Sequence, residues 1–313
     1  MTVTDNAGDP GQPDPGQADS GQADPGPSDQ GAPDDAPGDV GPSELDAELP
    51  GDEDVVPEDD GSSDPGLADE GPMDTGPIVC PPAEWIAIPG GTFQMGSASV
   101  TTCSGGSSCA EPVHSVAVPG FEMNKTEVLV CQYALCVAAV GCEAGGNSSA
   151  PDLNPRVNVS WNQWKAYCAW TGGRLCTEAE WEYAARNGSA GNTYPWGDAA
   201  PTCTDAVYGT DTCGSPSAPS PACSKPAGNN AWGVCDLAGN VVELVEDCYQ
   251  GSYDGAPSDG SARQTCDTYG GNTKVTRGGG FRWNADNLMA AARGDEYPGV
   301  YSDIVGARCC RTQ

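Results

Sequence analysis

Between residues 84 and 121 the apolar positions come in short alternating runs. EWIAIPGGTFQMG reads as two strands about the Pro89-Gly90-Gly91 turn, and VHSVAVPGF (113 to 121) as a further half-buried strand. From about Leu129 to Val140 the spacing becomes helical, with Gly141 in the position that ends helices. Ser160 and Gln163 form a capping box ahead of WNQWKAYCAW, and Gly172 follows that helix; Thr177 and Glu180 form a second box ahead of EAEWEYAARN, stopped by Gly188. Trp161, Trp164 and Cys168, then Trp181, Tyr183, Ala184 and Ala185, supply core faces. Beyond Tyr194 the chain is dominated by Gly, Pro, Ser, Thr and Asn with short apolar runs, which predicts irregular loops and short strands. The class expected is α+β with modest regular structure.

None of this patterning reaches residues 1 to 79, built from Asp, Pro, Gly, Ser, Gln and Ala with loosely repeated pieces such as GQADSGQADPG. The first 80 residues hold 22 of the 45 acids and no Lys or Arg, leaving 23 acids against 13 bases, an excess of 10, in the rest. Such a segment buries too little apolar surface to offset the entropy of ordering, and is expected to be a disordered, self-repelling spacer. One domain, residues 80 to 313, follows it. An acidic chain with no basic stripe is a poor partner for nucleic acid.

All 16 cysteines lie in that domain. One histidine and no repeated CxxC pair argue against zinc, so disulfides are the expectation, and they require an oxidising compartment. MTVTDNAGDPGQ has neither a basic n-region nor an apolar h-region, and no transmembrane run follows. The disulfide reading therefore requires a leader lost upstream and an extracellular or cell-surface location, where the spacer would project the domain from a tether. Cys168 with Cys176, Cys103 with Cys109 and Cys203 with Cys213 are candidate pairs; adjacent Cys309 and Cys310 must find different partners.

Taken in order, WIAIPGGTFQMGS, VHSVAVPGFEMNKTEV, VNVSWNQWKAYCAWTGGRLCTEAEWEYAARNG, YPWGD, WGVCDLAGNVVELVED, VTRGGGF and VGARC resemble the formylglycine-generating enzyme, or sulfatase-modifying factor, family. The resemblance spans residues 84 to 311 and implies a C-type-lectin-like fold with a small twisted sheet, two helices and long ordered loops. It does not settle function, because the family includes copper-dependent oxidases that make formylglycine, iron-dependent sulfoxide synthases, siderophore-maturation enzymes and non-catalytic binders.

The oxidases need two thiolates for Cu(I), a soft ion. The family places them just after the RGGS-like turn, where this chain has Trp283 and Leu288, with Gly280 for the usual serine. No cysteine lies between Cys266 and Cys309, so copper is not expected. The iron-dependent branch uses several histidines; His114, the single one, reads as a strand residue satisfied by hydrogen bonds. It is also the one imidazole available as a base for a nucleophile.

In CDLAGNVVELVED the family resemblance implies a structural calcium held by Asp236, Gly239, Val241 and Glu243, two side chains and two carbonyls converging at a glycine turn. The alternative is a turn in which Asn240 caps the next segment and Glu243 is solvated. A second family site would fall near Asp205 and Ala206, in a loop too short and cysteine-rich to expect one. What remains is a lectin-like domain that binds a protein or carbohydrate ligand. Trp283, Asn284, Asp286, Tyr297 and Tyr301, in an aromatic and small-polar segment spanning 281 to 305, are the candidate contacts. A protein-modifying oxidase is the alternative.

Overall fold

Corners at Gly90 and Gly120 decide how the first strands pair. The computed structural model describes residues 79–100, 103, 109–209, 213–266 and 271–313; the expectation for the acidic spacer falls, apart from Val79, outside the described residues. Strands β1 (Trp85–Ile88) and β2 (Gly91–Met95) do not pair with each other across the Pro89 turn. Instead β1 pairs antiparallel with β4 (Phe121–Asn124), and β2 with β3 (His114–Val118). The two corners touch so closely that a Cβ on Gly90 would lie 2.6 Å from the Gly120 nitrogen. Alternation then sends Ile88, Phe93, Val116 and Phe121 into one core.

The first sheet is completed by β5 (Arg174–Leu175) and β10 (Cys309–Thr312), in the order β1-β4-β10-β5. A second four-stranded sheet is formed by β6 (Val242–Cys248), β7 (Lys274–Arg277), β8 (Arg293–Glu296) and β9 (Val305–Ala307), in the order β8-β7-β6-β9 with β9 parallel to β6. Strand β6 is buried on both faces, Val245 in one core and Leu244 in the other.

Both capping boxes form. Ser160 and Gln163 start α2 (Trp161–Trp170), Thr177 and Glu180 start α3 (Glu178–Ala185), and Gly172 follows α2 with φ +83°. Helix α1 (Val130–Ala138) ends earlier than its pattern predicts, and its left-handed residue is Val140 (φ 58°), not Gly141. Gly141 is needed for another reason: a Cβ there would fall 2.3 Å from the Trp170 indole. Helix α3 is buried all round, glutamates included.

All sixteen cysteines are paired: 80–131, 103–109, 136–142, 168–309, 176–310, 203–213, 223–235 and 248–266. Cys103–Cys109 and Cys203–Cys213 form as expected, whereas the candidate Cys168–Cys176 pair does not. The reason is the period of a strand: consecutive residues of β10 face opposite ways. Cys309 enters the core of α1 and α2 and reaches Cys168; Cys310 enters the core of α3 and β1–β4 and reaches Cys176.

Candidate functional site

Strand β7 ends in the RGGG turn, where Gly278 (φ +89°) and Gly279 (φ +64°) take conformations that side chains resist. A Cβ on Gly279 would lie 2.8 Å from the Asn287 carbonyl oxygen. This turn, with Thr276, Arg277, Trp283, Asn287, the start of β8 (Arg293, Gly294, Asp295) and Cys103, lines a cavity of about 340 Å³. Leu288 is fully buried in a small core with Tyr194 and Tyr208. Trp283 is 44 % exposed, so of these two residues one is core and the other a cavity wall.

Beneath the cavity lies a buried ionic network that the sequence pattern did not reveal. Arg293 holds Glu178 in a forked pair (2.5 and 3.0 Å) and spends its remaining nitrogen on the Cys109 and Gln250 carbonyls. Arg277 pairs with Glu182, which also accepts from Arg186 (2.7 Å) and the Gly96 amide (2.8 Å). Burial pushes the Glu182 carboxyl up, but the Arg277 and Arg186 guanidiniums outweigh it and hold it below the usual range. Asp247 accepts the Glu178 and Arg263 amides (2.7 Å each), while burial and then the Glu178 charge push it up to about 7. The signal in the sequence was Arg277 and Arg293 facing EAEWEYAAR, which needs the fold before it can be paired.

A second polar cluster surrounds the CDLAGN turn. Asp236 (φ 56°), Gly239 (φ +86°) and Asn240 (φ 60°) make a left-handed turn, and a Cβ on Gly239 would strike the Val207 carbonyl at 2.5 Å. Asp236 accepts from the Cys223 amide (2.6 Å), Val241 is fully buried, and Asn240 accepts from the Ser220 amide (3.0 Å). Glu243 is buried, not solvated: Arg308 grips it at 2.7 and 2.5 Å and Trp181 donates to it at 2.8 Å. Close by is Glu127, which the sequence reading did not single out. It is fully buried, and neither carboxylate oxygen has a hydrogen-bond partner. Burial, and next the Asp236 charge, push its carboxyl well up; burial also raises Asp236. With no ion beside it, burial favours the neutral form of the Glu127 carboxyl; only when ionised together would Glu127, Asp236 and Glu243 set three carboxylates against the Arg308 guanidinium, a charge that a divalent cation would offset. Among the described residues no three His, Cys, Asp or Glu side chains converge on one point, so an ion here would draw on carbonyl oxygens as well.

The remaining candidate contacts divide between two places. Asn284 and Asp286 are exposed on a 3₁₀ turn (Ala285–Leu288) beside Trp283, with Asn287 donating to Asn284 at 2.7 Å. Tyr297 (55 % exposed) stands by Gly271 and Tyr301 (52 %) by Gly146, and neither lines the cavity. An Arg282–Asp303 ion pair (2.9 Å) links the two stretches. His114 bonds the Pro112 carbonyl through Nδ1 (3.0 Å), but its Nε2 is buried without a partner, so only half of the expected satisfaction is found.

These features define an α+β domain of three sheets with a glycine turn, the CDLAGN turn and the buried Arg308. A family model described as sulfatase-modifying factor enzyme 1-like domain matches residues 75–313, and the chain belongs to that family. It is 29% identical over 294 residues to the formylglycine-generating enzyme of Streptomyces coelicolor, covering 72% of this chain and 88% of that one. It is 36% identical over 166 residues to the inactive Cα-formylglycine-generating enzyme 2 of Mus musculus (50% and 48% covered). It is 31% identical over 252 residues to serine/threonine-protein kinase Pkn1 of Chlamydia trachomatis, covering 73% of this chain but spanning only 38% of the kinase's length. Among solved structures, PvdO from Pseudomonas aeruginosa superposes with a TM-score of 0.62 at 29% identity, covering 74% of this chain and 95% of that one.

Proposed function

We propose that this is an exported or surface-tethered, non-catalytic member of the family, a calcium-stabilised, disulfide-bonded domain that binds a protein or carbohydrate ligand. The observation carrying the reading is the fate of the cysteines. All sixteen are consumed in disulfides, and the two positions of the copper thiolates hold Trp283 and Leu288. A Cu(I) centre of the family type has no thiolate to bind. Eight disulfides suit an oxidising compartment. No helix of the described residues is long and apolar enough to cross a membrane. Calcium is supported by the Asp236–Glu243 turn and by the carboxylate excess around Arg308; the expected ligands are Asp236, the Gly239 and Val241 carbonyls and Glu243, with Glu127 supplying charge beside them.

The deciding experiment is metal analysis of the full chain with free-thiol counting and oxygen uptake on a cysteine peptide. Calcium, no free thiols and no oxygen uptake are expected. Stoichiometric copper with oxygen consumption would establish the oxidase instead.

A further inference from the structure

The cavity at the RGGG turn has a definite charge character. Arg277 and Arg293 line it, yet both are buried and turned to inward partners: Arg293 gives its donors to Glu178 and two carbonyls, and Arg277 pairs with Glu182 and donates to the Ala292 carbonyl at 2.7 Å. Each guanidinium is held against a glutamate, although the Arg277 Nε is left without a hydrogen-bond partner, 3.8 Å from Glu178. Asp295 also lines the cavity, and among the described residues no lysine, arginine or histidine forms an ion pair with it. The half-exposed indole of Trp283 lines the same cavity. Asn287 adds a carbonyl-type acceptor, its amide nitrogen being committed to Asn284.

An aromatic face, an unpaired carboxylate and a neutral acceptor around one small cavity are the elements of a cation site. An ammonium or guanidinium is attracted to the ring's negative face and to the carboxylate together, a gain that an anion or neutral group does not have to set against its desolvation. The excess of acids over bases in residues 81 to 313 adds a field of the same sign. The size, about 340 Å³, is at the lower end for small-molecule sites and admits one such head group with its aliphatic stem.

We propose that this cavity binds an organic cation, an ammonium or guanidinium group, with Trp283 as its aromatic face and Asp295 as its counter-ion. The inference rests on the reading of the domain as a binding protein and names its ligand chemistry. The head group can belong to a free small molecule or to a lysine or arginine side chain of a protein partner.

The test is saturation-transfer NMR with titration on the full disulfide-bonded chain, using Nα-acetyl-arginine amide, Nα-acetyl-lysine amide, choline and, as the neutral match, Nα-acetyl-citrulline amide. The cations are expected to bind at least ten-fold more tightly than the citrulline compound. Trp283→Ala and Asp295→Asn are each expected to weaken them about ten-fold with an unchanged circular dichroism spectrum and thiol count. Preference for the acetylated amino acids over choline assigns the source to a protein side chain; preference for choline assigns it to a free cation. Equal binding of citrulline, binding that survives both substitutions, or no binding at 10 mM (of the order of the weakest specific affinities) overturns the proposal. Equal citrulline binding lost in Trp283→Ala would leave the binding reading standing while the cation inference fails. Copper-dependent oxygen uptake would instead remove the binding reading itself.

Discussion

At the scale of single residues, position in the fold changes what a side chain means. Leu288 and Trp283 stand five apart and replace the same chemistry, yet one is core and the other a cavity wall. Leu288→Ala should cost about 2–5 kcal/mol by chemical denaturation, the usual range for a buried leucine, while Trp283→Ala stays within about 1 kcal/mol. Glu127 offers a sharper contrast, as a buried carboxylate whose oxygens lack partners. Replacing it by glutamine should raise the thermal midpoint in EDTA near neutral pH, because folding no longer has to protonate a buried carboxyl, and shrink the upward shift that calcium produces. Scanning calorimetry of Glu127→Gln with and without calcium checks both signs. A calcium shift as large as in the unsubstituted chain would separate Glu127 from the ion.

At the scale of elements, β10 is the strand on which the domain closes. Its neighbouring cysteines fasten it to α2 and to the start of α3 across 141 and 134 residues. Because Cys176–Cys310 closes nearly the same loop, the further ring closed by Cys168–Cys309 is only about ten residues, and replacing those two together by Ala should destabilise by about 2–3 kcal/mol. The Cys136/Cys142 pair, six residues apart, should cost about 2 kcal/mol by the same denaturant measurement. Strand β6 carries the pH dependence. Asp247 has a folded pKa of about 7, raised by burial and then by Glu178, against about 3.9 in an unfolded chain. Between those values the native state holds a proton that the unfolded chain has released. Its stabilising contribution is complete below about pH 4 and is lost as the pH rises through 7. The fall in thermal midpoint from pH 5 to pH 8 should therefore be smaller in Asp247→Asn than in the parent.

At the scale of the whole molecule, regular structure is sparse and covalent and ionic links take up the load. The buried arginines 277, 293 and 308 each bind a glutamate from a distant segment, so the β8-β7-β6-β9 sheet is joined to α3 and to the segment between β9 and β10 by charge as well as by apolar packing. Reduction is expected to release sixteen thiols and to collapse the cooperative thermal transition, whereas the native chain should show none with a thiol reagent. Reagent-accessible thiols in the native chain would remove the support for an exported protein and reopen thiolate chemistry.

What could be read from the chain alone was whatever depends on near neighbours. The capping boxes at Ser160 and Thr177, the strand alternation around Phe93 and Val116, and the loss of the thiolate pair are written within a few residues of each other. The family followed from the order of such pieces. Tertiary structure alone decided which strand each partner met, why Gly141 is glycine, and which core each of Cys309 and Cys310 entered. It also decided the fate of charge: the helical pattern of EAEWEYAAR gives Glu178 and Glu182 no sign of burial, because their arginine partners lie 115 and 95 residues away. A buried charge depends for its stability on groups that sequence distance does not reveal, and only the fold brings them into contact.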